Sequence, residues 1–204
     1  MKKYLSVLPP AIFLALPLMV PPASAAQPVK PVDVRSFDVG GVKTGMSVAQ
    51  ARAAMQKNFG VPAEKIKASE SAPYQVATRI TGSQQVMYLV YEDNGTRMQV
   101  TFEPRVPYDK SNPMAAALIS YEIPWTKDNE NAMKDAALKK YGPVSTGGMY
   151  PLWCDKPLPR TGMGCEPDSA KLEAASTKLE MSDPAWQNAR IRYMDQQSAT
   201  RPKI

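Results

Sequence analysis

Asn94-Gly95 constrains this sequence more than any other pair of residues. A type I′ hairpin turn needs positive φ at both central positions, and this dipeptide supplies it. A two-residue loop fixes the register: Asp93 faces Thr96 and Glu92 faces Arg97. Followed away from the turn, that register sorts the flanking side chains. One face holds Met87, Leu89, Tyr91, Met98, Val100 and Phe102. The other holds Val86, Tyr88, Val90, Glu92, Arg97, Gln99, Thr101 and Glu103. The first is wholly apolar and the second is mixed, as an antiparallel sheet with one buried and one wetter face requires. Asn94-Gly95-Thr96 also spells a glycosylation acceptor, which the turn explains more simply.

Around this hairpin the sequence alternates helix and strand signals. Ser47-Val48-Ala49-Gln50 reads as a capping box, opening a helix over Val48 to Asn58. Val48, Ala51, Met55 and Phe59 form its apolar stripe, while Gly60 and Pro62 end it. Met46, just before the cap, is placed to act as a hydrophobic staple. Arg105 to Pro113 is a polar loop, and Ile119, Tyr121 and Ile123 alternate as a third strand ending at Pro124. A second helix is predicted over Asn129 to Tyr141, with Asp128 as N-cap, Met133, Ala137 and Tyr141 on one face, and Gly142-Pro143 as the stop.

Met149 to Trp153 reads as a strand, and Pro151 gives it an edge position. Lys171 to Ser182 fits two short strands through Leu172, Ala174, Leu179 and Met181, although Leu172, Ala175 and Leu179 also fit a helix. Asp183-Pro184 opens a terminal helix, with Trp186, Ala189 and Tyr193 facing the body and Arg192 facing solvent. Phe59-Gly60-Val61-Pro62 and Tyr141-Gly142-Pro143 echo each other, each followed by strand-like sequence. Two similar helix-plus-sheet halves would account for this, and so would the general habit of helices to end at glycine.

The N-terminus speaks to location. Lys2-Lys3, an apolar run densest from Ala11 to Val20, and Ala23-Ser24-Ala25 have the layout of a secretory signal peptide cleaved near Ala25. Pro9, Pro10, Pro17, Pro21 and Pro22 interrupt the run, which disfavours a spanning helix. No cysteine lies near the cleavage site, so no lipid or other stable membrane anchor is expected. The organisation read from the sequence is a signal peptide over 1–25, a flexible lead-in over 26–36, a first half over 37–126, a second half over 127–197 and a tail over 198–204. Without the leader, 23 basic side chains stand against 19 acidic ones, a net charge of +4 spread along the chain. Such a balance gives no nucleic-acid footprint. Cys154 and Cys165, the only two cysteines, are expected to form a disulfide in an oxidising compartment.

The chain has no histidine. Serine–histidine and cysteine–histidine catalysis are thereby excluded, as are histidine metal sites. No nucleophile elbow, phosphate-binding loop or dinucleotide fingerprint is present, and Gly40-Gly41 reads as a turn. Carboxylate chemistry is the remaining option. Glu92, Asp93 and Glu103 lie on or beside the hairpin, with Glu92 and Arg97 expected to form a surface ion pair, and Glu122 and Glu130 show no convergent spacing. Trp125, Trp153 and Trp186 are candidates for a binding groove or for packing. No catalytic, cofactor-binding or metal-ligating residue is assigned.

Val39 to Ser47, running into the first helix through Gly45-Met46-Ser47, resembles the helix opening of small envelope proteins. These include the outer-membrane assembly lipoproteins of the SmpA/OmlA (BamE) family and the tandem-repeat β-lactamase inhibitory proteins. Lys140-Tyr141-Gly142-Pro143, Trp153-Cys154, Cys165 and Leu179 to Asp183 resemble a combination found in uncharacterised proteobacterial periplasmic proteins. The resemblance implies an α+β fold with helices packed on one face of an antiparallel sheet. It carries over no functional residue, because its motifs are caps and turns. The expectation for function is a periplasmic, non-enzymatic binding or envelope-assembly module whose partner is another envelope or periplasmic protein. The alternatives are an inhibitor of a periplasmic enzyme and a histidine-free hydrolase using carboxylates or tyrosine.

Overall fold

The hairpin forms as its turn dictates. Asn94 and Gly95 take φ of 48° and 76°, and Asp93 pairs with Thr96 and Glu92 with Arg97. A Cβ on Gly95 would lie 2.7 Å from Pro124 Cγ, so close packing as well as backbone conformation calls for glycine there. A computed structural model of the protein describes residues 30–146, 148–158 and 164–199. The expected signal peptide, residues 26–29 of the lead-in and residues 200–204 of the tail lie outside the described residues.

The strands are β1 (Lys67–Glu70), β2 (Val86–Asp93), β3 (Thr96–Pro104), β4 (Met114–Glu122), β5 (Leu152–Cys154), β6 (Lys171–Ala175) and β7 (Lys178–Ser182). They form one antiparallel sheet in the order β1-β2-β3-β4-β7-β6-β5. The helices are α1 (Val48–Phe59), α2 (Val76–Thr81), α3 (Lys127–Tyr141) and α4 (Pro184–Ala199). The fold is α+β, with helices packed on a sheet.

Register places one continuous row of apolar side chains across six strands. Leu89 pairs with Val100, Val100 with Ile119, Ile119 with Met181, Met181 with Leu172, and Leu172 with Trp153. All six are wholly buried. α1 and α3 cover this face. Ala51 and Met55 enter the core from α1, and Phe59 stacks on Tyr91 with ring centroids 4.0 Å apart. Met133, Ala137 and Tyr141 enter it from α3, and Tyr141 meets Trp153 edge-on at 5.5 Å. The core is one cluster holding residues of both expected halves, joined through the β4–β7 pairing.

Local chemistry sets most element ends. In α1 the capping box closes: Gln50 N donates to Ser47 Oγ at 3.3 Å and Ser47 N to Gln50 Oε1 at 2.9 Å. Gly60 ends the helix in the left-handed conformation. α3 starts earlier than predicted, and its cap is Thr126 rather than Asp128. Thr126 Oγ1 accepts from Asn129 N at 3.0 Å. Asp128 falls instead in the first turn, where a negative charge favours the helix dipole. β4 begins well before Ile119, because Ala115, Ala116 and Ala117 are buried on both sides of the sheet and show no alternation. Lys171 to Ser182 resolves as the two strands β6 and β7, turning at Ser176 with φ of 55°. β5 is shorter than the predicted strand, and it lies at the sheet edge with Pro151 just outside it.

The expected flexible lead-in is held to the body from Lys30 onward. Lys30 N donates to Ser145 O at 3.3 Å and Val32 N to Cys154 O at 2.9 Å. Val34 is wholly buried. Apolar valines at alternate positions give this segment a core contact that its proline content concealed.

Ile119→Ala, at the centre of the apolar row, is expected to cost about 2–5 kcal/mol in urea unfolding. Ser120→Ala, next to it on the wetter face, should stay within about 0.5 kcal/mol of the parent.

Candidate binding face

The wetter face of the sheet is left uncovered by α1 and α3. Two rows cross it in register. Val90, Gln99, Ser120, Glu180 and Glu173 form one, and Tyr88, Thr101, Leu118, Ser182 and Lys171 the other. Tyr88 is exposed, and Val90 and Leu118 are half-buried. Aromatic and aliphatic groups thus alternate with neutral and charged ones.

Two structures wall this face. The first is α4. Asp183 Oδ1 accepts from Ala185 N at 3.1 Å, which caps the helix as the Asp183-Pro184 pair predicts. Farther along, Arg190 Nε donates to Glu103 Oε2 at 2.7 Å, and both side chains are largely buried. Trp186 is half-buried beneath the Arg105 guanidinium, whose carbon lies 5.0 Å from the ring centroid. Arg192 is exposed as expected.

The second wall is the disulfide loop. Cys154 and Cys165 are bonded, with Cα atoms 5.6 Å apart. Glu166 N donates to Lys156 O at 2.8 Å and Lys156 N to Ser169 Oγ at 2.8 Å, so backbone bonds stiffen the loop next to the bridge. One hollow of about 260 Å³ lies between Thr101, Leu118 and Gln187. Another of about 340 Å³ lies between Cys165, Glu166, Lys171 and Glu173. Ser182 and Pro184 line both, so the two meet at the start of α4.

Arg35 locks the walls together. Its Nε and Nη2 donate to the two carboxylate oxygens of Asp183 at 2.7 and 2.9 Å, and Nη1 reaches Asp155. Asp155 Oδ1 also accepts from Val34 N at 2.7 Å. Asp183 is almost wholly buried, so this two-pronged contact satisfies a charge that would otherwise be costly. Bonding to Asp183 raises the Arg35 pKa further, against the opposing effect of burial. No sequence spacing links positions 35, 155 and 183, and the cap role of Asp183 was the only legible part of this clamp.

The carboxylates considered for catalysis do not converge. Glu103 is held by Arg190, and Asp93 accepts from Asn94 Nδ2 at 3.0 Å. Glu92 and Arg97 oppose each other in register, but the expected ion pair does not close: Arg97 Nη2 turns to Gln99 Oε1 at 2.6 Å. Glu130 lies 3.4 Å from Lys127 on its own helix, and Glu122 opposes Lys178, which binds Glu180. Tyr141 donates its phenol proton to Asp38 O at 2.7 Å, and burial, aided by the Asp38 charge, raises its pKa. It is a fixed donor rather than a nucleophile. The tryptophans line no common groove: Trp153 is in the core, Trp186 lies on α4 beneath Arg105 and Trp125 is exposed. Among the described residues, no cluster of three or more aspartate, glutamate or cysteine side chains is placed to hold a metal, and no helix is long and apolar enough to cross a membrane.

Comparison of the chain with protein-family models, curated proteins and solved structures finds no match.

Removing the bridge with Cys154→Ser and Cys165→Ser is expected to lower stability by roughly 3 kcal/mol, read by denaturant unfolding. A second expectation concerns Asp38. Burial alone would raise its pKa, but hydrogen bonds from Lys140 and the Gly41 amide, with the charges of Lys140 and Lys43, lower it. The folded value therefore lies below the unfolded one. Its contribution is complete above the ordinary carboxylate range and is lost as pH falls through the lowered folded value. The stability gap between the parent and Asp38→Asn should accordingly be widest near neutrality and close on acidification.

Proposed function

We propose that the protein is a periplasmic binding or envelope-assembly accessory protein, acting on another envelope protein through the wetter sheet face. The observation that carries this reading is the open strip of sheet between α4 and the disulfide loop. It combines an exposed tyrosine with half-buried aliphatic groups and a charged margin. Interfaces between separately folded proteins have this mixed composition and favour tyrosine. Arg35 and the disulfide stiffen its walls, which reduces the ordering cost of association. The signal-peptide layout and the disulfide support an oxidising compartment outside the cytoplasm.

A second reading, inhibition of a periplasmic enzyme, draws on the stapled loop beside that face. The stem of that loop is tied by the Cys154–Cys165 disulfide and by the Glu166–Lys156 backbone bond, which suits it to present a segment to a cleft. A hydrolase has less support, since the carboxylates are separated and several are engaged by different cations.

Site-specific photo-crosslinking in an envelope extract tests the proposal. The oxidised protein carrying a photoreactive residue at position 88 should yield one dominant, salt-resistant adduct. The double variant Val90→Lys/Leu118→Arg should lose it while retaining its fold by circular dichroism. A probe at Tyr74, exposed on the loop before α2, should give no such adduct. Equal capture from positions 74 and 88, or none from 88, would remove this face from the proposal. The identity of the adduct separates assembly from inhibition.

A further inference from the structure

With the wetter face read as the binding surface, we infer that α4 is a displaceable cover over its β3–β4 part, and that the partner engages the face with α4 lifted. α4 differs from α1 and α3 in what it buries. Ala51 and Met55 of α1 are core residues, as are Met133, Ala137 and Tyr141 of α3. Among the described residues of α4, none belongs to the core cluster and none is fully buried. Trp186, Tyr193 and Met194 are half-buried, and Ile191 is exposed. Yet α4 lies against β3 and β4. Ala115, the register partner of Glu103, and Ala117 have small side chains there, which leaves room for a helix above the strands.

Polar contacts hold α4 down. Arg190 latches its body to Glu103 through the largely buried 2.7 Å ion pair. Lifting the helix returns both charges to water together and recovers the solvation that burial removed, so the pair resists lifting less than its attraction alone implies. Near the start of the helix, Trp186 Nε1 and Arg105 Nε are buried without an acceptor among the described residues. Buried donors of this kind oppose the contact that buries them. Lifting α1 or α3 would instead expose the apolar row to water. Water thus competes for the contacts of α4 and reinforces those of the other two helices. The start of α4 stays fixed: Asp183 N donates to Ala117 O at 2.8 Å, and Arg35 holds the Asp183 carboxylate. Motion about this end would remove Gln187 from the hollow it shares with Thr101 and Leu118. Thr101 is the register partner of Tyr88, so the uncovered area is continuous with the exposed tyrosine.

Amide hydrogen exchange of the oxidised full chain, paired with capture from position 88, tests this. Amides of α4 over 188–197 should exchange at least about tenfold faster than those in the middle of α1 and α3. Arg190→Ala should speed α4 further, leave α1 and α3 unchanged, and raise capture at least about twofold. The double variant Glu103→Leu/Arg190→Leu, which replaces the ion pair by apolar contact, should slow α4 and lower capture. A partner that merely touches the pair would be captured less by both variants, and that result would overturn the cover. Exchange in α4 as slow as in α1, equal capture by parent and both variants, or loss of protection in α1 and α3 with Arg190→Ala would overturn it too. No adduct from any of the three removes the binding face and the cover with it. An adduct with uniformly slow exchange removes the cover alone.

Discussion

The row from Leu89 to Trp153 is the contact on which the rest of the molecule depends. It runs perpendicular to six strands, and every pairing in the sheet from β2 to β5 brings one of its members into line. A slip of one residue in any strand would turn its member to the wet side. The row also decides where helices are needed. α1 and α3 shield it from water, and each adds aromatic groups beside it, Phe59 on Tyr91 and Tyr141 on Trp153. Because the row crosses the β4–β7 pairing without interruption, the two helix-plus-strand stretches of the chain share one interior.

The wetter face owes its shape to a different class of interaction. Few large apolar groups organise it, and its walls are held by charge and covalent bonding. Arg35 gathers Asp155 and Asp183, Arg190 holds Glu103, and Cys154 is tied to Cys165. One side of the sheet is therefore defined by close packing and the other by a few directional bonds between distant parts of the chain. Packing gives stability but little surface for recognition. The bonded frame leaves the strands between its walls open.

What the sequence revealed follows this division. Features written in neighbouring residues were legible: the Asn94-Gly95 turn and its register, the Ser47–Gln50 capping box, the Asp183-Pro184 helix start and the short β6–β7 hairpin. The α3 cap was displaced by two positions because Thr126 and Asp128 are both good caps, and local sequence does not rank them. The start of β4 was hidden because alanine carries too little hydrophobic contrast to show a period. Two contacts were illegible for a stronger reason. The Arg35 clamp and the Lys140–Asp38 contact join residues more than a hundred positions apart, and no periodicity or motif records such a meeting.

The segment from Lys30 to Val34 has a consequence for the order in which the molecule is completed. It borders β5, the last strand of the sheet, bonding Cys154 and Ser145 through its backbone. The earliest part of the folded body thus seals a margin built from much later residues. A chain emerging from its N-terminus cannot place this segment until the region around positions 145–155 has followed. Until the segment docks there, the β5 margin lacks these backbone partners, and unpaired edge groups are the feature that lets sheets recruit foreign strands. Docking of this early segment therefore protects one edge of the sheet, while β1 remains the other.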